Sequence, residues 1–492
     1  MWLLTILLVV IYFPVFALLV IYGANLYILI LITFWRRKRL DATPSEVTPF
    51  VTVQVPLYNE QHVSERVIDA VAHLDYPLDC LQIQILDDST DETRDIVAAR
   101  VGYWQAQGLD IEHCHRVDRS GYKAGALAKA FPTARGEYIA IFDADFLPHA
   151  NFLRETIPFL QHDPHAAFIQ SRWEHLNLTA SWLTRLQGVA LDSHFMIEQY
   201  ARSRGGFAFG FNGTAGVWRR TAIIDAGGWR DSTLTEDLDL TYRAWLHGWH
   251  GLYRQDVTAP AELPPTMTGF RRQQARWQRG SIEVARMLLP DIWRSGYPLL
   301  AKIEATIHLL GPLVTPLMAF LLISYPFLLL LGRLIPGFVI PPNSLDFLGP
   351  ITLAPPLFFI TSQILARRST LNAVVGVVLC QIIGAGMAMN TLRAVIKALL
   401  GQHGEFLRTP KFGDKKETVW QSKYHVRADP GIALDIVWGF FALLAAILGL
   451  IHGHNFVTLY GFVSCLGSWW VAGWTILPDI RAAFRAKRLA VA

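Results

Sequence analysis

Two carboxylates one residue apart, Asp143 and Asp145, close the apolar run Ile139-Ala140-Ile141-Phe142. The run is rich in β-branched and aromatic residues and reads as a buried strand, so the acids fall where a strand meets a loop. Hard divalent ions such as Mg2+ or Mn2+ take oxygen ligands and share them with substrate phosphates, which makes the pair a candidate clamp for a metal-diphosphate. A plain solvated turn can carry the same tripeptide, so its meaning depends on what else the chain brings to that place.

Further acids and cations follow the same rhythm. Asp87 and Asp88 stand at the end of the apolar stretch Leu81 to Leu86, ahead of Ser89-Thr90-Asp91. One side chain suffices to cap a helix, so two pairs of acids exceed what capping requires. His115 to Leu127 places basic and glycine residues before a helix, where backbone N-H groups and Lys123 are candidate diphosphate contacts. Neither a P-loop nor a dinucleotide-binding Gly-x-Gly-x-x-Gly is present. Phe209 to Gly216 offers small residues for close backbone approach to a ligand. Thr235-Glu236-Asp237 opens a helix with Thr235 as its expected cap. Asp237 is the candidate general base, held as the anion by the helix dipole, with Glu236 beside it. Gln273-x-x-Arg276-Trp277 supplies an amide, a permanent cation for phosphate and an indole face for a sugar.

These groups need a scaffold, and the intervening sequence describes one. Val51 to Pro56 is a strand running into Leu57-Tyr58-Asn59-Glu60, followed by a helix from about Val63 to His73. Leu81 to Leu86 is a second strand, and Ser89 or Asp91 caps the helix Glu92 to Gln107. Strand, acidic tip and helix repeat, which predicts an α/β domain with a mostly parallel sheet and its ligand groups at the carboxyl ends of the strands.

The chain has 492 residues, 52% of them hydrophobic, with a net charge of +4. The apolar excess is concentrated at the ends. Residues 1–34 lack a formally charged side chain and precede Trp35-Arg36-Arg37-Lys38-Arg39, which predicts a membrane anchor with its N-terminus outside and the basic cluster in the cytoplasm. The order is the reverse of a signal peptide. Residues 48–290 contain no run able to cross a bilayer and are expected in the cytoplasm. Ile307 to Leu331, Leu348 to Leu365, Ile432 to Ile451 and Phe456 to Leu477 are further expected spans, the first two joined by an outside loop at Ile335 to Asn343. Leu371 to Leu400 is interrupted by Gln381, Asn390, Arg393 and Lys397 and is read as an interface helix, giving five spans, or six if it crosses. The expected organisation is therefore an anchor at 1–40, a cytoplasmic domain at 48–265, interface helices at 266–300, a membrane hairpin with interface helix at 301–400, a loop at 401–429 and a terminal hairpin at 430–492. Four scattered cysteines support neither a disulfide framework nor a thiolate metal site. The small net charge, with basic residues beside the spans, argues against nucleic acid as a partner.

The ordered set Pro56-Leu57-Tyr58-Asn59-Glu60, Asp87-Asp88-Ser89-Thr90-Asp91, Gly121 to Leu127, Phe142 to Asp145, Phe211 to Gly216, Thr235-Glu236-Asp237 and Gln273-x-x-Arg276-Trp277 resembles the processive family 2 glycosyltransferases. Within them it is most similar to the cellulose-synthase-like mannan and glucan synthases. The resemblance implies a glycosyltransferase A-type domain inserted between transmembrane helices. It implies a nucleotide-sugar donor, UDP-glucose or GDP-mannose, held by Tyr58, Glu60, Asp87, Asp88, Lys123, Asp143, Gln273 and Arg276, with Mg2+ or Mn2+ on Asp143 and Asp145. Asp237 would be the base of an inverting displacement, and Trp277 would stack on the acceptor glycan. Phe406-Leu407-Arg408-Thr409-Pro410-Lys411 is similar to the family's gating loop, with Arg408 in place of the usual Val, and adds Thr409 and Lys411 to the donor contacts.

Donor base and sugar epimer are left to contacts from residues such as Trp173, Glu174 and His175. A non-processive transferase acting on a membrane lipid, diacylglycerol or polyprenyl phosphate, is the alternative within the same fold. A membrane transporter or scaffold would explain the spans but leave four separate carboxylate placements without a role.

Overall fold

The structure, a computed structural model, describes residues 2–35, 47–334, 349–402, 404, 411, 413 and 428–491. Seven strands form one sheet: β1 (Val51–Leu57), β2 (Leu81–Asp87), β3 (Ile111–His115), β4 (Tyr138–Ile141), β5 (Ala166–His175), β6 (Gly216–Arg219) and β7 (His250–Ala261). Their order is β3-β2-β1-β4-β6-β5-β7, and only β6 runs antiparallel to its neighbours. The mostly parallel α/β sheet expected from the sequence is therefore present. The order reverses between β1 and β4, because the chain builds outward to β3 and then returns to the other side of β1. Open sheets leave a crevice at such a reversal, beyond the carboxyl ends of the strands. Tyr58 follows β1, Asp88 follows β2 and Asp143 follows β4, so topology alone brings the three together.

Val51, Val53, Val55, Ile83 and Ile85 are fully buried on one sheet face, each contributing about 1.5–3 kcal/mol of burial. The alternate residues Thr52, Gln54, Gln82 and Gln84 are buried too, although their types read as solvent-facing. They pair across the strands, Thr52 Oγ1 to Gln82 Oε1 and Gln54 Nε2 to Gln84 Oε1, both at 2.9 Å. Gln84 Nε2 reaches Thr133 Oγ1 at 2.9 Å. Hydrogen bonding removes most of the desolvation cost that would otherwise bar amides from a core.

Helices Ser64–Ala72 and Thr93–Ala106 lie where expected, and Asp91 Oδ1 accepts from Thr93 N at 3.0 Å at the start of the second. Thr235 sits at the N-cap of helix Glu236–Leu246, but its hydroxyl makes no capping bond. Helix Met267–Arg294, capped by Thr266 Oγ1 on Gly269 N at 3.1 Å, carries Gln273, Arg276 and Trp277.

Among the described residues, four helices are long and apolar enough to cross a membrane: Val10–Trp35, Leu299–Leu334, Ile432–Ile451 and Asn455–Ile480. The expected span Leu348 to Leu365 differs: its described part holds the helix Ala354–Leu365, whose 12 residues rise only about 18 Å, too little to cross alone. Leu371 to Leu400 is not one helix. It breaks at Met387 into Ala373–Gly386 and Ala388–Leu399, bent by 51°, and would make a fifth span only if the pair counts as one. Close packing accompanies the bend: Gly386 and Gly467 approach so tightly that a Cβ on Gly386 would lie 2.3 Å from Gly467 backbone. The second half lies along helix Met267–Arg294, with Asn390 Nδ2 donating to Arg271 O at 3.2 Å. The loop at Ile335 to Asn343 and the residues Phe406 to Pro410, including Thr409, lie outside the described residues.

Candidate active site

One cavity at the reversal of strand order is lined by Tyr58, Glu60, Asp88, Lys123, Asp143, Asp145, Glu236, Asp237, Gln273, Arg276, Trp277 and Lys411. Each comes from a stretch singled out in the sequence. Trp173, Glu174 and His175 line it as well.

Each carboxylate is held by a specific partner. Asp88 receives a two-pronged bond from Arg116, Nε to Oδ1 at 2.7 Å and Nη2 to Oδ2 at 2.5 Å. Asp143 takes Lys123 Nζ at 2.5 Å, and the same ammonium donates to Gly213 O at 2.8 Å. Asp145 takes Lys411 Nζ at 2.5 Å. Burial works against the charge on both lysines, yet the neighbouring carboxylates more than offset it and raise their pKa values.

Asp237 opens onto the cavity but is otherwise ringed by protein. Burial, reinforced by Glu236 and opposed by Lys123, pushes its pKa up to about 7. The helix dipole was expected to favour the anion; desolvation and a neighbouring acid prevail over it, even though Leu238 N donates to Asp237 Oδ1 at 2.8 Å. A carboxylate with a pKa near neutrality can both take and release a proton at working pH. Gly213 is required beside it: its φ is 79°, and a Cβ there would stand 2.8 Å from Asp237 Oδ2.

Two donors on the cavity wall, Trp173 Nε1 and Asn212 Nδ2, are sealed from solvent and make no hydrogen bond among the described residues. Buried donors of this kind are ordinarily satisfied, which makes them candidates for ligand contact. Arg119, which sequence reasoning noted only as part of a basic stretch, lies 3.5 Å over the Tyr58 ring and lines the cavity. Asp87 departs from expectation. It is fully buried behind Asp88, turned away from the cavity, where Ser89 N and His113 bond to it. Burial raises its pKa, but those bonds outweigh burial and leave it lowered.

Trp277 also lines a second cavity of about 840 Å³ among the membrane-type helices, with Tyr22, His194, Glu198, His308 and Phe456. The indole thus stands at the junction of the two spaces.

Residues 48–280 match the family model described as glycosyltransferase like family 2. The chain is 47% identical over 248 residues to probable glucomannan 4-beta-mannosyltransferase 7 of Oryza sativa subsp. japonica, covering 50% of this chain and 42% of that relative, so it spans less than half of the relative's length. It is 34% identical over 449 residues to glucomannan 4-beta-mannosyltransferase 9 of Arabidopsis thaliana, covering 88% of this chain and 82% of the relative. Among solved structures, a mannosyltransferase from Pyrobaculum calidifontis in complex with GDP-Man and Mn2+ superposes with a TM-score of 0.54 at 21% identity, over 79% of this chain and all of that one, a likeness of fold. Sheet, cavity and the long alignments agree that the chain belongs to the family 2 glycosyltransferases, in the group that holds the glucomannan 4-beta-mannosyltransferases.

Proposed function

We propose that the chain transfers a hexose from a nucleotide sugar to the end of a growing β-glycan at the inner face of a membrane and passes the polymer across. The supporting observation is that Asp88, Asp145 and Asp237, held by three separate elements, line one cavity with Arg276 and Trp277. GDP-mannose is the donor favoured by the names of the relatives, with UDP-glucose second.

In this reading the nucleoside lies against Tyr58, Arg119 and Asp88, and the diphosphate between Lys123 and Arg276. Asp143 and Asp145 suit Mg2+ or Mn2+: both offer only hard oxygens, and each already holds an ammonium at 2.5 Å, so the place attracts positive charge. A divalent ion bound there neutralises charge on the leaving diphosphate. Asp237 takes the proton of the acceptor hydroxyl as its oxygen bonds to the anomeric carbon and the bond from that carbon to the diphosphate oxygen breaks. One displacement turns an α-linked donor into a β-linked product. Arg276 offsets the charge gathering on the departing diphosphate. Trp173 Nε1 and Asn212 Nδ2 are suited to sugar hydroxyls, and Trp277 to the face of the terminal acceptor sugar. Because that indole also borders the larger cavity, a lengthening chain has space to advance among the membrane helices. The basic cluster after the first helix supports a cytoplasmic catalytic domain, with the N-terminus outside.

The test uses the protein in lipid vesicles with radiolabelled GDP-mannose or UDP-glucose. A polymer cut by β-mannanase supports the reading with mannose as its sugar, and one cut only by β-glucanase moves the donor to UDP-glucose. Label that extracts into organic solvent as a glycolipid would replace the polymer reading with transfer to a lipid.

A further inference from the structure

Behind the nucleoside end of the cavity, three side chains that the transfer chemistry does not use face one another. Parallel pairing of β2 and β3 sets Asp87 opposite His115 and Ile85 opposite His113. Residues two apart on a strand share a face, so both imidazoles lie on the side of the sheet to which Asp87 turns. Asp87 Oδ2 is 2.9 Å from His113 Nε2 and 3.4 Å from His115 Nδ1, and one ligand atom from each residue falls within 4.8 Å of the other two. Tetrahedral Zn2+ with bonds of about 2.0–2.1 Å spaces its ligands by roughly 3.4 Å, close to these separations.

A second observation points to a ligand. His115 Nδ1 is sealed from solvent and, beyond its 3.4 Å approach to Asp87 Oδ2, makes no hydrogen bond among the described residues, an expense that a coordinate bond would relieve. The His113 and His115 rings lie on the edge strand β3 and remain 18% and 21% exposed, while Asp87 is fully buried, so an ion would enter past the rings.

We propose that Asp87, His113 and His115 form a second cation site, selective for a borderline transition ion such as Zn2+ and separate from the oxygen-only pair Asp143 and Asp145. Two imidazoles and one carboxylate suit Zn2+ or Co2+, whereas Mg2+ prefers oxygen ligands. Three protein ligands leave the fourth position to water. The ion would tie the ends of β2 and β3 together at a sensitive place. Asp87 Oδ1 accepts from Ser89 N at 2.8 Å, Ser89 Oγ accepts from Asn59 N at 2.8 Å, and Arg116, next to His115, grips Asp88. A bound ion therefore stiffens the two turns that present Tyr58 and Asp88. This last step rests on the proposed donor site, while the binding of the ion does not.

The experiment takes the full-length protein, stripped of metal, in detergent with saturating Mg2+. Zinc titrated by calorimetry is expected to bind at one equivalent per chain and to raise Tm. His113→Gln and His115→Gln should each abolish that equivalent, whereas Asp145→Asn should keep it. Co2+ in the unmutated protein should give the intense visible bands of a tetrahedral site, a readout that does not depend on the variants folding. Zinc binding that survives both histidine substitutions, zinc lost only in Asp145→Asn, or a weak octahedral Co2+ spectrum would each overturn the site. Zinc removal should raise the donor KM and leave kcat unchanged; binding without that effect would retain the ion site and remove its link to the donor.

Discussion

The ammonium of Lys411 lies 2.5 Å from Oδ2 of Asp145, across 266 positions of sequence. Both side chains are about nine-tenths buried, so the pair is an enclosed one. Removing one partner of such a pair leaves a stranded charge, at a cost of about 3–5 kcal/mol. Lys411→Ala is expected to lower Tm in metal-free buffer, and Mn2+ should restore it, giving a larger Mn2+-induced rise than in the parent protein. Thermal unfolding with and without Mn2+ measures this. An equal Mn2+ response in both proteins would mean that the cation does not take up the place of the ammonium at Asp145.

Asp237 supplies the pH dependence. With Asp237 in its proposed role as base, a pKa of about 7 predicts that kcat/KM falls about tenfold per unit as pH drops below neutrality, because the base acts unprotonated. Asp237→Asn should reduce turnover by about 10²–10⁴ while donor binding persists, as measured by nucleotide-sugar titration. Stability moves the other way. A carboxyl whose folded pKa is raised contributes stability at low pH and loses it as pH rises through that value. The Asn variant should therefore gain Tm relative to the parent at pH 8 and show little gain at pH 5.

The proposed nucleoside end of the cavity is formed by Tyr58 and Arg119. A guanidinium 3.5 Å over a phenol ring is worth about 0.5–2 kcal/mol and helps to fix the ring on the cavity wall. Arg119→Ala should raise the donor KM roughly 2–30-fold with little change in kcat, because the contact is equal in ground and transition states. Steady-state kinetics over donor concentration separates the two parameters. A fall in kcat alone would place Arg119 on the reacting phosphates instead.

Much of this site was legible because strand ends announce themselves: an apolar run that stops at acids, as at Asp88 and Asp145, fixes both the element and the end of the sheet at which the acids stand. Asp87 was misread because adjacent residues at a strand end face opposite ways, and sequence alone does not say which of two acids meets the ligand. The burial of Gln54 and Gln84 is not legible in the sequence, since it depends on a partner 30 positions away. Arg119 was hidden in a basic stretch, where only the stacking on Tyr58 distinguishes it. Among the apolar helices the break at Met387 carries no proline or charge; it coincides with the close approach of Gly386 and Gly467, a contact between distant segments.

Gly213 offers a controlled test of geometry at the base. Its φ of 79° is shared by Gly228, at 74°, but the surroundings differ. A Cβ on Gly213 would meet Asp237 Oδ2 at 2.8 Å and Lys123 Nζ at 3.3 Å, while one on Gly228 would meet nothing within 4 Å. Both alanine variants bear the left-handed backbone cost of about 1–2 kcal/mol, and only Gly213→Ala must displace the carboxylate. Displacing a reacting group by about 1 Å can cost about 10²-fold in rate, so Gly213→Ala should lose turnover on that scale and Gly228→Ala should keep it, with similar falls in Tm. Equal activity in the two variants would separate Asp237 from the proton transfer, because the backbone strain is common to both and the crowding of the carboxylate is not.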